Sequence, residues 1–174
     1  MATQLVQEAR SSLANEDRTY PIGRDVPAYD PRYDRRGGRI KIYLAASFSR
    51  QAEMRVVAAR LEGVTITSRW LFENQGMKHG NSRRKFMMRC AFTDLEDVRA
   101  CDILVRFADD LSPITIPSHL GTGARHFETG LAYALGKTII IVGGRQNVFD
   151  FIPSFVHLKD TEALVRYLNK EEVN

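Results

Sequence analysis

Glu128 stands out by its setting. It follows the turn Gly121-Thr122-Gly123 and precedes Gly130-Leu131-Ala132-Tyr133-Ala134-Leu135-Gly136-Lys137. Glycines let a backbone approach a ligand closely, and a helix start offers N–H groups to an anion. Ala132, Ala134 and Leu135 favour helix, and Gly136 reads as its stop. Glu128 then lies in the first or second turn, at an active-site position of open α/β folds. It would equally suit the helix dipole, and on the residues alone the two readings stand even. A second group is Thr93-Asp94-Leu95-Glu96-Asp97, three acids in four residues. Such a cluster is ordinarily a solvated face, and periodicity does not separate Asp94 from Glu96 and Asp97. A third is Ser47-Phe48-Ser49-Arg50. Hydroxyls, helix-start amides and a guanidinium can hold a phosphate or sugar oxygens. The plain alternative makes Ser49 an N-cap and Arg50 a surface residue. Phe48 and Trp70 can stack on a base or fill the core.

The elements that must position these residues alternate along the chain. Residues 39–46 read as a strand rich in branched and aromatic side chains. A helix over 51–62 puts Met54, Val57, Ala58 and Leu61 on one face. Residues 64–71 read as a second strand and 72–84 as a long loop over the site. Arg83, Arg84 and Lys85 end it as a lid contact or a solvated charge run. A helix over 84–100 carries Phe86, Ala91, Leu95 and Val98 inward, and 101–107 is the third strand. A loop over 109–120 leads to the Glu128 helix, whose Phe127, Leu131 and Leu135 should face the core. Strands at 138–143 and 155–158 and a helix over 160–169, capped by Asp160 or Thr161, complete the order. This alternation means an α/β, Rossmann-like (flavodoxin-like) parallel sheet with helices on both faces. Residues 1–38 are polar, Pro-punctuated and aperiodic, an arm that is disordered or packs on a partner subunit. The single catalytic domain spans 39–174.

Composition sets further bounds. A chain of 174 residues supports one real core. No apolar run is long enough to span a bilayer and no signal peptide opens the chain, so no membrane partner is expected. Cys90 and Cys101 lack metal spacing and read as core residues of a reduced, cytoplasmic protein. No metal or cofactor is expected. The net charge of +4 suits a small anionic ligand as well as nucleic acid and decides nothing.

The ordered set of motifs resembles the nucleoside 2-deoxyribosyltransferase superfamily, which includes 2'-deoxynucleoside 5'-monophosphate N-glycosidases. The resemblance runs from about Ile40 to Leu158. It is carried by Ile42-Tyr43-Leu44-Ala45, by Asp94-Leu95 eight residues before Asp102-Ile103-Leu104-Val105, and by Gly121-Thr122. It continues through Glu128-Thr129-Gly130-Leu131-Ala132-Tyr133-Ala134-Leu135-Gly136-Lys137 and Asn147-Val148-Phe149. It implies that Glu128 is the nucleophile and Asp94 handles the proton of the base. It implies that Asn147 serves the sugar of a neighbouring subunit's site in a homodimer or higher oligomer. Asp102 matches a structural strand-start Asp. Tyr43, Ser47, Phe48, Ser49, Arg50, Gly121, Thr122 and Arg125 are the remaining substrate-binding candidates, and His126 reads as a polar helix-start residue. The chain departs from the pattern where residues 124–127 intervene before Glu128, and where Ala45-Ala46 replace the usual glycine.

The implied reaction breaks an N-glycosidic bond. A carboxylate traps the sugar carbon, and a protonated acid supplies the leaving-group proton. Glu128 should therefore be ionised and Asp94 able to carry a proton. Transfer to water makes a hydrolase and to another base a transferase. The ligand is a nucleotide or nucleoside, with no nucleic acid involved. The Ser-and-Arg loop favours a 5'-phosphate, because a free 5'-hydroxyl would leave the Arg50 guanidinium without a strong partner. A nucleoside-only transferase and a non-catalytic nucleotide sensor on the same fold are the alternatives. Cytokinin-activating phosphoribohydrolases carry P-G-G-x-G-T-x-x-E. Here no Pro-Gly-Gly is present, and five residues separate Thr122 from Glu128.

Overall fold

The computed structural model describes residues 38–73, 81–108 and 122–170. The arm up to residue 37, most of the two long loops, Gly121 and the side chain of Thr122 lie outside the described residues. The strands are β1 (Ile40–Ala45), β2 (Val64–Ile66), β3 (Ile103–Phe107), β4 (Thr138–Val142) and β5 (Val156–Leu158). They form one sheet in the order β2-β1-β3-β4-β5, with every neighbouring pair parallel. Ile42 to Ala45, Ile103 to Phe107 and Ile139 to Val142 are buried without interruption. That is the mark of parallel strands covered on both faces.

The helices are α1 (Gln51–Arg60), α2 (Asn81–Ala100), α3 (Thr122–Ala134) and α4 (Thr161–Asn169). The chain steps one way from β1 to β2 and the other way from β2 through β3 to β4. Right-handed crossovers then put α1 on one face and α2 and α3 on the other. In keeping with this, α2 packs on α3, and α1 packs on α4. The α1–α4 seam is tied by Arg60 with Glu162 and by Asn169, which receives the Glu62 N–H. Among the described residues no helix is long and apolar enough to cross a membrane.

Caps and turns follow local chemistry. Asp160 Oδ1 accepts the Ala163 N–H at 2.8 Å and starts α4. Gly136 takes φ +67° just past α3. Asp102 accepts the Lys41 N–H at 3.0 Å, which ties the starts of β3 and β1. Cys90 and Cys101 are buried.

Several expectations are corrected. The second strand stops at Ile66, and residues Arg69–Phe72 form a 3-10 turn. Side chains take over the edge there. Ser68 Oγ accepts the Leu44 N–H at 2.6 Å, and Trp70 Nε1 donates to the Leu44 carbonyl at 2.8 Å. Trp70 is thus a core residue, while Phe48 is 37 % exposed. Ser49 caps nothing; a 3-10 turn, Phe48–Arg50, precedes α1, and the Ser47 and Ser49 hydroxyls bond each other at 2.9 Å. Ala91 faces solvent. Leu131 packs on the core as expected, but Phe127 on α3 and Leu135 just past its end are exposed, whereas Arg125, Thr129 and Ala132 are buried.

The end of β4 admits only glycine. Gly143 has φ +97°, and a Cβ there would meet Ala108 Cβ at 3.2 Å. Gly143→Ala is expected to cost roughly 1–3 kcal/mol. The measurement is a lowered urea midpoint at unchanged m-value.

Candidate active site

The site is built on β1, between α2 and α3. Tyr43 is fully buried in a strand whose alternation turns it toward these helices. Its hydroxyl donates to Oε1 of Glu128 at 2.8 Å. Glu128 lies in the second turn of α3, on the face that also buries Arg125, Thr129 and Ala132. Asp94 lies on the neighbouring α2 and interacts with both Tyr43 and Glu128. Its Oδ1 is buried with no hydrogen-bond partner among the described residues. The structure thus brings Glu128, Asp94 and Tyr43 together.

Both carboxyls hold their protons unusually tightly. Burial raises Glu128 to about 7, and the Asp94 charge adds to this; the Tyr43 hydrogen bond and Arg125 oppose it. Burial raises Asp94 to about 6, aided by Glu73 and Asp97 and opposed by Arg69 and Tyr43. Burial and the two carboxylates push Tyr43 far up, so it stays a donor. The two carboxyls titrate as a pair, and near neutrality the pair holds about one proton. Glu128 is the more deeply buried and Asp94 has the Arg69 cation nearby.

The three acids of α2 have different fates. Glu96 is exposed and bonds Arg69 at 2.9 Å. Asp97 is buried and accepts from Arg69 Nε at 2.7 Å and from the Arg69 N–H at 2.9 Å. It fixes the 3-10 turn and is not the exposed carboxylate expected.

Three guanidiniums gather around the carboxyl end of β3. Arg125 is buried and donates to the Phe107 carbonyl at 3.1 Å. Arg50 donates from Nη1 to the Ala108 carbonyl at 2.9 Å. Its other edge bonds both carboxylate oxygens of Glu53, so the partnerless guanidinium expected from the sequence is already paired. Arg106, inside β3, is buried and pairs with buried Asp150 at 2.5 Å. Burial pushes the Asp150 carboxyl up, but Arg106 and the N–H groups of Gln146 and Asn147 outweigh it and hold it below the usual range.

Sequence reasoning missed Arg106 and Asp150 and set His126 aside. Arg106 Nη1 lies 2.9 Å and Asn147 Nδ2 3.2 Å from His126 Nδ1. Asn147 is oriented by its Oδ1, which accepts the Phe149 N–H at 2.8 Å. Both donors face the same ring nitrogen, which can accept from them as a lone-pair acceptor. The available signal was a lone arginine inside an apolar strand. Asn147 also forms a capping box with Asp150. Its amide is therefore engaged within its own chain.

No protein-family model matches the chain, and no curated protein is significantly similar to it. Solved structures do share its architecture. A 2-deoxyribosyltransferase from Bacillus psychrosaccharolyticus is 22 % identical, with 73 % of this chain and 91 % of that one covered at a TM-score of 0.53. A CMP N-glycosidase, BcmB, from Clostridium botulinum is 17 % identical over 75 % of this chain and 98 % of that one, at 0.48. The solution structure of BlsM is 17 % identical over 76 % and 91 %, at 0.46. What the chain shares with the 2-deoxyribosyltransferase structure is its fold, a Rossmann-like α/β sheet.

The raised carboxyls have a consequence for stability. A folded-state pKa above the unfolded value means the native state binds extra protons, so stability falls as pH rises from about 4 to about 7. Glu128→Gln keeps an acceptor for Tyr43 and removes the charge. It is expected to raise stability by roughly 1–3 kcal/mol at pH 8 and to change little at pH 4. Thermal melts at the two pH values measure this.

Proposed function

We propose that the chain is an enzyme that cleaves the N-glycosidic bond of a nucleoside or nucleoside 5'-monophosphate, with Glu128 as nucleophile and Asp94 as the proton carrier. The observation that carries this reading is the buried Glu128–Tyr43–Asp94 group with an unsatisfied Asp94 oxygen. A structural ion-pair site would supply a cation for each carboxylate. Here neither carboxyl is in a salt bridge among the described residues; a phenol bonds Glu128 and acts on Asp94, and both acids are raised into the range where an enzyme works. The solved structures of similar fold include a deoxyribosyltransferase and an N-glycosidase, which agrees with this chemistry.

In the first step a Glu128 oxygen bonds C1' of the sugar and the C1'–N bond breaks. The electron pair leaves with the base nitrogen, which takes its proton from Asp94. In the second step Asp94 takes the proton of water or of another base as it attacks C1', the sugar–Glu128 ester bond breaks with its electron pair returning to the carboxylate, and configuration is restored. Water gives a hydrolase and a base gives a transferase. Tyr43 keeps Glu128 aimed, and its hydrogen bond helps the carboxylate ionise. Arg125, one turn earlier on α3, acts the same way by charge. Ser47, Phe48, Ser49 and Arg50 form the proposed binding rim, with Phe48 beside the base.

Glu128→Ala is expected to lower base release by about 10³-fold or more with the fold retained. Wild-type kcat/KM should rise through about pH 6 and fall through about pH 7. In Asp94→Asn the acid limb reports the ionisation of Glu128 alone, and the alkaline limb disappears. Release of free base from deoxynucleosides and their monophosphates, followed across pH, tests all three.

A homo-oligomer with shared sites is part of the proposal. Val148, Phe149 and Phe151, which flank Asp150 beside the site, and Phe127 on α3 are each at least 65 % exposed. Covering them with a second copy would remove apolar area from water. Mixed Glu128→Ala and Asn147→Ala protomers are expected to recover activity in verified hetero-oligomers. Sedimentation of a strictly monomeric, fully active protein would count against it.

A further inference from the structure

Arg50 carries a carboxylate from its own helix in the manner it would carry a ligand. Its Nε donates to Glu53 Oε2 at 2.7 Å and its Nη2 to Oε1 at 2.6 Å, a two-pronged pairing of guanidinium and carboxylate. Nη1 is turned the other way and bonds the Ala108 carbonyl at 2.9 Å. The guanidinium carbon stands 5.6 Å from the centre of the Phe107 ring. Arg50 therefore bridges from the loop after β1 to the end of β3. These strands adjoin where the order of the sheet reverses, the place where ligands of such folds sit.

A phosphate monoester presents an arginine with the same pair of oxygens as a carboxylate. Glu53 occupies that edge of the guanidinium. We propose that Glu53 is a specificity-determining residue: an internal anion that competes with the substrate's 5'-phosphate for Arg50 and so weakens the preference for nucleotide over nucleoside. The proposal rests on the N-glycosidase reading for its substrate.

The partners differ in how firmly they are held. Arg50 is anchored on its far side by Ala108 and Phe107, whereas 47 % of the Glu53 side chain is exposed and can turn into water. An incoming phosphate must displace Glu53 or accept its repulsion. The hydrogen bond from Arg50 holds the Glu53 carboxyl below the usual range, so the competitor stays charged wherever the catalytic pair works. A purely structural pair would, when broken, change both substrates alike.

The test compares wild type with Glu53→Gln and Glu53→Ala, each checked for an unchanged melting temperature. The first readout is the ratio of kcat/KM for a deoxynucleoside 5'-monophosphate to that for the parent deoxynucleoside. It is expected to rise about tenfold in either variant, and the rise should vanish when Arg50→Ala is added. The second readout is calorimetric binding of the same monophosphate in a Glu128→Ala background, where no turnover occurs. Affinity should rise by a similar factor. A ratio and an affinity within twofold of wild type, or no binding in any variant, overturn the proposal. If no base is released from any substrate, the enzymatic reading fails, and the binding measurement alone decides the role of Glu53.

Discussion

A phenol oxygen buried against the middle of a parallel sheet must find a partner from the helices above it. Here the Tyr43 hydroxyl finds Glu128, and this bond ties the site to the fold. It fixes the rotation of α3 over β1, because only one face of that helix can present Glu128 downward. That rotation turns Arg125 and Thr129 inward as well, and Thr129 Oγ1 answers by bonding the Arg125 carbonyl at 2.6 Å. The same hydroxyl acts on Asp94, which sets α2 beside α3. Burial lifts both pKa values, and neighbouring carboxylates add more than Arg125 and Arg69 take away.

The other side of the site has the opposite character. Arg50, Arg125 and Arg106 surround the last residues of β3, and each is tied to a carbonyl or a carboxylate. The backbone carbonyls of Phe107 and Ala108 are thus satisfied by cations in place of a further strand. The acids are set on two helices and the cations around the strand end, so opposite charges lie on the two sides of the site. An anionic or oxygen-rich sugar end suits the cationic rim, and a leaving base suits the protonatable acid.

The sheet was legible because its central strands are unbroken apolar runs, which covered parallel strands require. The edge was not. β2 ends early because Ser68 and Trp70 use side chains to bond the backbone of Leu44, which composition does not reveal. Glu128 was legible from its Gly-flanked helix, but the face of that helix was misread. Counting apolar residues placed Leu131 correctly on the core but also selected Phe127 and Leu135, which are exposed, whereas the inward face carries Arg125, Glu128 and Thr129. Hydrophobic periodicity misleads on a helix whose buried side holds the chemistry. On α2 the phase of Cys90 and Val98, with Asp94 midway between them, was the usable signal. It sets Glu96 outward. The Arg106–Asp150 and Arg50–Glu53 pairings were hidden for different reasons. The first joins residues far apart in the chain, and the second resembles any pair on a solvated helix.

These pairs also differ in what surrounds them. Arg106 and Asp150 are each 1 % exposed, so mobile ions cannot enter between them. Arg50 with Glu53 and Arg60 with Glu162 lie at the water boundary, within reach of dissolved ions whose screening length is about 8 Å at physiological strength. Ionic strength therefore divides the molecule. Added salt loosens the Arg50–Glu53 pair and the α1–α4 seam, while the buried Arg106–Asp150 pair beside His126 keeps its geometry.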